Sequence, residues 1–478
     1  MLSLRGIPAA LFLFSTLLAA QEPPLQRQAV RITEQARGDW GLMAWSLDRD
    51  APLIWINADR PLVPASTNKL FTSVWVLSVF GPEHRFATDL LVSRAPLPGG
   101  VLRGDVILRG SGDPSFGFPE FSEDPMRPLR VMASQLRARG VRVIEGSVIG
   151  DPSAFDDQLL GPDWPRDTGG GASVYAPRVS GLAFQRNSIW IDLVAGAAGS
   201  PARLRLQPEV ETIPVVSTAV SGGGRPAYAV REPDGDTIFV RGAVSGRGLN
   251  RYQVGVSAPA LLAAGALGSA LRDAGIRVHG PVEVGEAPGD ALLVHRHLSV
   301  PLGAMVHHMN RHSDNFVAEH LFKLAAREVT GEGSYRRGSA AAGDFFRQLG
   351  VTSGELVIAD GSGLSERNRA SPRALIAALR YAAGQPWSAL FRHSLAVAGH
   401  PDGTMNRLFR GSPAEGKILA KTGFLRGSRT LAGYLEVAGG ERIAFAFIYN
   451  GSATTGARAA EIELGLLLVE YAGRGRSD

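Results

Sequence analysis

The stretch Pro64-Ala65-Ser66-Thr67-Asn68-Lys69-Leu70-Phe71 sets a serine and a lysine three positions apart at the start of a strongly apolar run. If a helix begins at Ser66, after Pro64, the two side chains share one helical face, one turn from each other. An amine then stands beside a hydroxyl. A serine hydroxyl is a weak nucleophile until a neighbouring base takes its proton, and a lysine whose charged form is disfavoured by burial can be that base. Lysine and arginine together number 50, and only Lys69, Lys323, Lys417 and Lys421 are lysines. Where nearly every cation is written as Arg, a retained Lys suggests a position that needs a group able to lose its proton, which Arg is not. Taken alone, the motif is more often a common tetrapeptide with a solvated helix charge than a catalytic pair.

Two further motifs lie far downstream. Ser313-Asp314-Asn315 interrupts a helical pattern, so its side chains can face a cleft from between two helix halves. Lys421-Thr422-Gly423 ends a predicted strand, and Gly423 allows close backbone approach by a ligand. In the order Ser-x-x-Lys, Ser-Asp-Asn, Lys-Thr-Gly they are the set carried by class A β-lactamases and penicillin-binding proteins. Lys69 and Lys421, half of all the lysines, fill its two lysine positions.

The elements that must hold these groups are legible in outline. Residues 41–57 alternate apolar and polar around Asp48-Arg49-Asp50, which reads as a hairpin. The helix after Ser66 is apolar nearly all round, the pattern of a helix buried in mid-domain. From about His84 to Gly289 the chain turns to short β-like runs punctuated by Gly and Pro, with helices expected only at 128–140 and 259–274. Helical pattern resumes at 302–309 and 316–327, then at 334–349 and 371–383, each of the latter two with a serine suited to cap it. Strands are expected at 418–422, 429–437 and 442–449, and a final helix at 457–471. Helix, long insert, helices, antiparallel strands and terminal helix describe an α/β catalytic domain that the chain leaves and re-enters.

Bulk properties bound the rest. The 478 residues allow more than one domain, and the net charge of +5 is mild. No Lys/Arg-rich run interleaved with aromatics argues for nucleic acid. Arg5, the apolar run Ile7–Leu18 and Ala19-Ala20 have the layout of a secretory signal peptide over residues 1–20, an uncleaved anchor being the alternative. With no cysteine, disulfides and thiol catalysis are excluded. The carboxylates Asp151, Asp156 and Asp157 and the histidines His307, His308 and His312 lack the partners of a metal site, so neither metal nor cofactor is expected. Asp314 suits a turn better than a base.

Ser66 and Ser313 stand 247 positions apart, far more than a compact β-lactamase needs. This spacing resembles that of the penicillin-binding protein 4 type of D-alanyl-D-alanine carboxypeptidase/endopeptidase, peptidase family S13, whose hallmark is an insert between those motifs. The stretches Gly110-Ser111-Gly112-Asp113-Pro114, Tyr175-Ala176-Pro177 and Asp360-Gly361-Ser362-Gly363-Leu364-Ser365 strengthen the likeness. The resemblance implies a penicillin-binding/β-lactamase-like transpeptidase domain, an antiparallel sheet flanked by helices, over residues 21–85 and 291–478. A β-rich insert of two nested subdomains would fill 86–290. It implies a periplasmic serine peptidase acting on peptidoglycan stem peptides and acylated by β-lactams, at most peripherally membrane-associated.

In that reading Ser66 attacks, Lys69 accepts its proton and Ser313 relays a proton to the leaving amine. Asn315 holds the substrate amide, Lys421 stays charged to draw in a carboxylate, and Thr422 hydrogen-bonds it. The N–H groups of Ser66 and Phe424 form the oxyanion hole, with Gly423 and Asp314 beside the substrate. Phe424 departs from the small or hydroxylated residue expected after Lys-Thr-Gly. A β-lactamase and a silent cell-wall-binding scaffold are the alternative readings. Lys323 serves as a control: Lys323→Arg is expected to leave penicillin labelling untouched.

Overall fold

The computed structural model describes residues 24–164, 172–232, 235–246 and 249–474. The proposed signal peptide lies outside them. At the centre is a six-stranded antiparallel sheet in the order Ala51–Ile56, Asp39–Ser46, Ile443–Asn450, Ser428–Leu435, Ile418–Leu425, Ala396–Val397. An N-terminal hairpin is thereby paired to the last strand of the chain.

Period-two alternation in Ile443–Asn450 sorts the two faces. Phe445, Phe447 and Tyr449 pack with the N-terminal helix Pro24–Glu34 and the C-terminal helix Thr454–Arg474. Ala444, Ala446 and Ile448 face the opposite layer, which holds the helices Asn68–Phe80, Leu302–His312, Asn315–Thr330 and Pro372–Ala383. Small alanines on that side let the Pro372–Ala383 helix lie close to the sheet, and the Asn68–Phe80 helix packs behind it. Every residue from Asn68 to Leu77 is buried, as its all-round apolar pattern requires. Ser334 and Ser371 cap the helices that follow them, their hydroxyls accepting the N–H groups of Arg337 and Ala374.

The chain leaves this unit through the strand Ala87–Val92, which joins a five-stranded sheet in the order Val282–Val284, Val148–Asp151, Val106–Arg109, Ala87–Val92, Leu292–Leu298. Leu292–Leu298, which the sequence reading placed in the re-entered catalytic part, thus pairs with the first strand of the insert. Smaller sheets, including Asn250–Gly255 with Ser188–Val194 and Arg203–Gln207, share one apolar core with the helices Arg127–Ala138 and Pro259–Asp273. The helices Pro24–Glu34 and Ser388–Ser394 had no counterpart in the sequence reading.

Candidate active site

Ser66 sits in a single 3-10 turn, Ala65–Thr67, that leads straight into the helix Asn68–Phe80. Ala65, fully buried, holds a positive φ of 47°, a conformation rare outside glycine. Gly363 makes the close approach possible from the other side: a Cβ there would lie 1.9 Å from the Ala65 carbonyl oxygen.

The turn geometry carries Lys69 back beneath Ser66. Its Nζ, wholly buried, lies 3.2 Å from Ser66 Oγ, 2.7 Å from Asn315 Oδ1 and 2.8 Å from the Ser362 carbonyl oxygen. Those three acceptors match the three donors of an ammonium. Burial pulls its pKa down to about 8, opposed by the negative charges of Glu319, Asp360 and Asp314.

Ser313 ends the helix Leu302–His312 in the left-handed conformation (φ 59°, ψ 38°), which turns the chain so that a new helix starts at Asn315. Its Oγ accepts from Lys421 Nζ at 2.8 Å. Asp314 caps the new helix through Val317 N–H at 3.1 Å, and its second oxygen meets His308 Nε2 at 3.0 Å and the Arg186 guanidinium. Burial opposes its charge, but Arg186 and the His308 hydrogen bond hold its carboxyl far below the ordinary range. Asp314 is thus a clamped structural carboxylate. Asn315 donates through Nδ2 to the Tyr175 carbonyl at 2.8 Å while its oxygen holds Lys69.

On the strand Ile418–Leu425, Lys421 is buried and also donates to the Thr422 carbonyl at 2.7 Å. Burial, then the nearby charge of Lys69, pushes its pKa well down. Both lysines are thus pushed toward the neutral form by burial, and the carboxylates oppose this only at Lys69. Thr422 Oγ1 donates to Thr404 Oγ1 at 2.8 Å. A Cβ on Gly423 would lie 3.0 Å from Ser66 N, so this strand runs against the nucleophile turn. Phe424 is 57% exposed, with the Arg429 guanidinium 5.2 Å from its ring centre.

Ser66, Ser313, Asn315, Thr422 and Phe424 line one open cavity of about 800 Å³. Lys69 and Lys421 are buried behind it, hydrogen-bonded to Ser66 and Ser313. Three contributors escaped the sequence reading: Thr404, Glu319 and Arg186. Glu319, four positions after Asn315, was within reach of helical periodicity. Arg186 was not, because it comes from the insert on three successive residues of positive φ, Gln185, Arg186 and Asn187.

Lys323 lies apart from these groups. It is fully buried, donating to Asp156 Oδ1 at 2.6 Å and the Gln158 carbonyl at 2.7 Å beside the Tyr335 ring. Asp151 likewise has an assigned task, accepting the N–H groups of Ser153 and Ala287. Among the described residues no cluster of three His, Asp or Glu side chains is arranged to hold a metal ion, and no helix is long and apolar enough to cross a membrane.

The model of the D-Ala-D-Ala carboxypeptidase 3 (S13) family matches residues 26–470. A D-alanyl-D-alanine carboxypeptidase of Actinomadura sp. (strain R39) is 32% identical over 430 residues, covering 86% of this chain and 78% of its own. The D-alanyl-D-alanine carboxypeptidase DacB of Haemophilus influenzae is 27% identical over 429 residues, covering 87% and 86%. The crystal structure of penicillin binding protein 4 (dacB) from Haemophilus influenzae superposes with a TM-score of 0.77 at 24% identity, covering 93% of this chain and 98% of that one.

Proposed function

The chain belongs to the D-Ala-D-Ala carboxypeptidase 3 (S13) family, and from that membership we propose that it is a serine D-alanyl-D-alanine peptidase working through an acyl-enzyme on Ser66. Its substrates are peptidoglycan stem peptides, cut at the terminal D-Ala–D-Ala bond or at a D-alanyl–diaminopimelyl cross-link. A cavity of about 800 Å³ leaves room for more than one amino acid on the leaving side. The chain is exported to the periplasm by residues 1–20. Residues 21–85 and 291–478 form the catalytic unit around the insert 86–290, with 292–298 lent to the insert's sheet.

The contacts support the following course of reaction. A substrate carboxylate arriving at Lys421, Thr422 and Thr404 supplies the counter-charge that Lys421 lacks in the free site. Lys421 then holds its proton, and its charge favours the neutral form of Lys69. Neutral Lys69 takes the proton of Ser66 Oγ as the oxygen attacks the carbonyl carbon. The oxyanion rests between the N–H groups of Ser66 and Phe424, where one donor contributes about 3–4 kcal/mol. As the C–N bond breaks, Ser313 passes a proton to the departing amine, leaving an ester on Ser66. Water then attacks the ester, and the acid product departs. A β-lactam enters the same route, but its leaving group stays tethered.

The observation that carries this reading is Lys69 Nζ at 3.2 Å from Ser66 Oγ, in one cavity with the Ser313–Lys421 pair. The test is mass spectrometry of mature protein after incubation with benzylpenicillin, with digestion to locate the adduct. A stable adduct on Ser66 is expected. Intact penicillin with no adduct would favour a scaffold, and hydrolysed penicillin with no adduct a β-lactamase.

A further inference from the structure

Glu319 has no part in the chemistry just described, yet it lies one step from the base. It is completely buried, one turn beyond Asn315 on the same helix face. Its Oε1 accepts the Ser362 N–H at 2.7 Å and its Oε2 the Gly361 N–H at 3.0 Å. Ser362 then turns its carbonyl to Lys69 Nζ at 2.8 Å. The rest of this loop is fixed to the nucleophile helix: Asn68 Nδ2 donates to the Asp360 carbonyl and Thr72 Oγ1 to the Gly361 carbonyl. Asp360 closes the loop on itself through the N–H groups of Gly363 and Ser365. One carboxylate therefore decides how the loop's acceptor is presented to the lysine.

We propose that Glu319 is a positioning residue for the general base: its carboxylate clamps the Gly361–Ser362 backbone so that the Ser362 carbonyl holds Lys69 Nζ against Ser66 Oγ, and its negative charge faces the ammonium it orients. This rests on Lys69 being the base. The groups that face Glu319 are Lys69 from the nucleophile helix, Asp360 from the loop, Tyr335 from the following helix and Lys323 one turn along its own. Burial, reinforced by Asp360, raises the Glu319 pKa, while the N–H groups of Gly361 and Ser362, one on each oxygen, favour the ionised form. The negative charge of Glu319 in turn raises the proton affinity of Lys69. Charge and geometry can therefore be separated by substitution.

The experiment measures the rate of Ser66 acylation by benzylpenicillin in the full mature chain between pH 5.5 and 9.5, for wild type, Glu319→Gln and Glu319→Asp. Removing the charge in Glu319→Gln is expected to move the rising limb of the profile down by about one pH unit. Loosening the clamp is expected to lower the plateau by about tenfold or more, since small misplacements of a reacting group are costly. Glu319→Asp keeps the charge but shortens the reach, so its limb stays in place while its plateau falls. A plateau loss in Glu319→Gln with an unmoved limb would reduce Glu319 to a purely structural residue and overturn the proposal, as would wild-type behaviour of either variant. If Glu319→Gln does not fold, the Asp variant decides alone. Wild-type protein that forms no adduct at all would instead remove the reading on which the proposal rests.

Discussion

Gly423→Ala is the sharpest available perturbation of the oxyanion hole, because the added methyl carbon has nowhere to go. A Cβ at this position would lie 2.1 Å from Thr430 Oγ1 and 3.0 Å from both the Pro64 carbonyl oxygen and Ser66 N. Ordinary contact begins at 3.4 Å, so against Thr430 the deficit is 1.3 Å. Two responses are open. Thr430 can rotate, which breaks its 2.9 Å bond to the Pro64 carbonyl and costs about 1 kcal/mol, yet leaves both 3.0 Å contacts tight. Otherwise the strand moves away from Ser66 and takes the Phe424 N–H with it.

Losing one oxyanion donor costs about 2.7–4 kcal/mol, or 10²–10³ in rate. The expected loss in the acylation rate is therefore about a hundredfold or more, with Ser66 still modified at long times. Mass-spectrometric acylation kinetics with benzylpenicillin measure it, beside thermal unfolding as a check on folding. Adding Thr430→Ala removes the 2.1 Å contact and should recover part of the rate. A Gly423→Ala protein that acylates within twofold of wild type would refute the placement of Phe424 N–H in the oxyanion hole.

Three other outcomes are expected. Because burial lowers the Lys69 pKa to about 8, its neutral fraction grows through that value, and the wild-type acylation rate should climb between about pH 7 and 9; a flat profile would exclude Lys69 as the titrating base. Lys323→Arg should destabilise the fold by about 1–3 kcal/mol, since a larger cation must enter a filled pocket, read as a lowered midpoint in thermal unfolding. For Glu461, burial raises the pKa from 4.5 to about 7 despite Arg458, so the folded state holds a proton that the unfolded chain releases between those values. Its contribution is full below about pH 4.5 and lost as pH rises through 7; Glu461→Gln should add on the order of 2–3 kcal/mol at pH 8 and little at pH 5, by denaturant titration.

What could be read in advance follows the range of the interactions involved. The Ser66–Lys69 spacing is a one-turn relation, and Ser313-Asp314-Asn315 and Lys421-Thr422-Gly423 are local breaks in periodicity, so each announced itself within a few residues. The buried helix Asn68–Phe80 and the strands around Lys421 were legible for the same reason. Arg186 reaches Asp314 from 128 positions away, on a left-handed loop that no residue type there demands. The burial of Lys323 was not legible because its partner Asp156 stands 167 positions earlier, in the insert. The place of Leu292–Leu298 in the insert's sheet was not legible, because its pairing with Ala87–Val92 is a tertiary fact. The proton affinity of Lys69 depends on carboxylates, Glu319 and Asp360, that lie outside all three motifs.

The sheet order described above also fixes when the protein can first work. Asp39–Ser46 pairs with Ile443–Asn450, so the hairpin made at the start waits for a partner made almost at the end. At about 5–20 residues per second, roughly 20–80 s separate the two on the ribosome. For most of that interval Ser66 exists without Ser313, and for nearly all of it without Lys421 and the Phe424 amide. No truncated chain ending before Phe424 holds an oxyanion site, and none ending before Ile443 closes the sheet. Hydrolytic power therefore arrives all at once with the finished polypeptide, and a chain threaded unfolded through a translocation pore gives up no activity it already had.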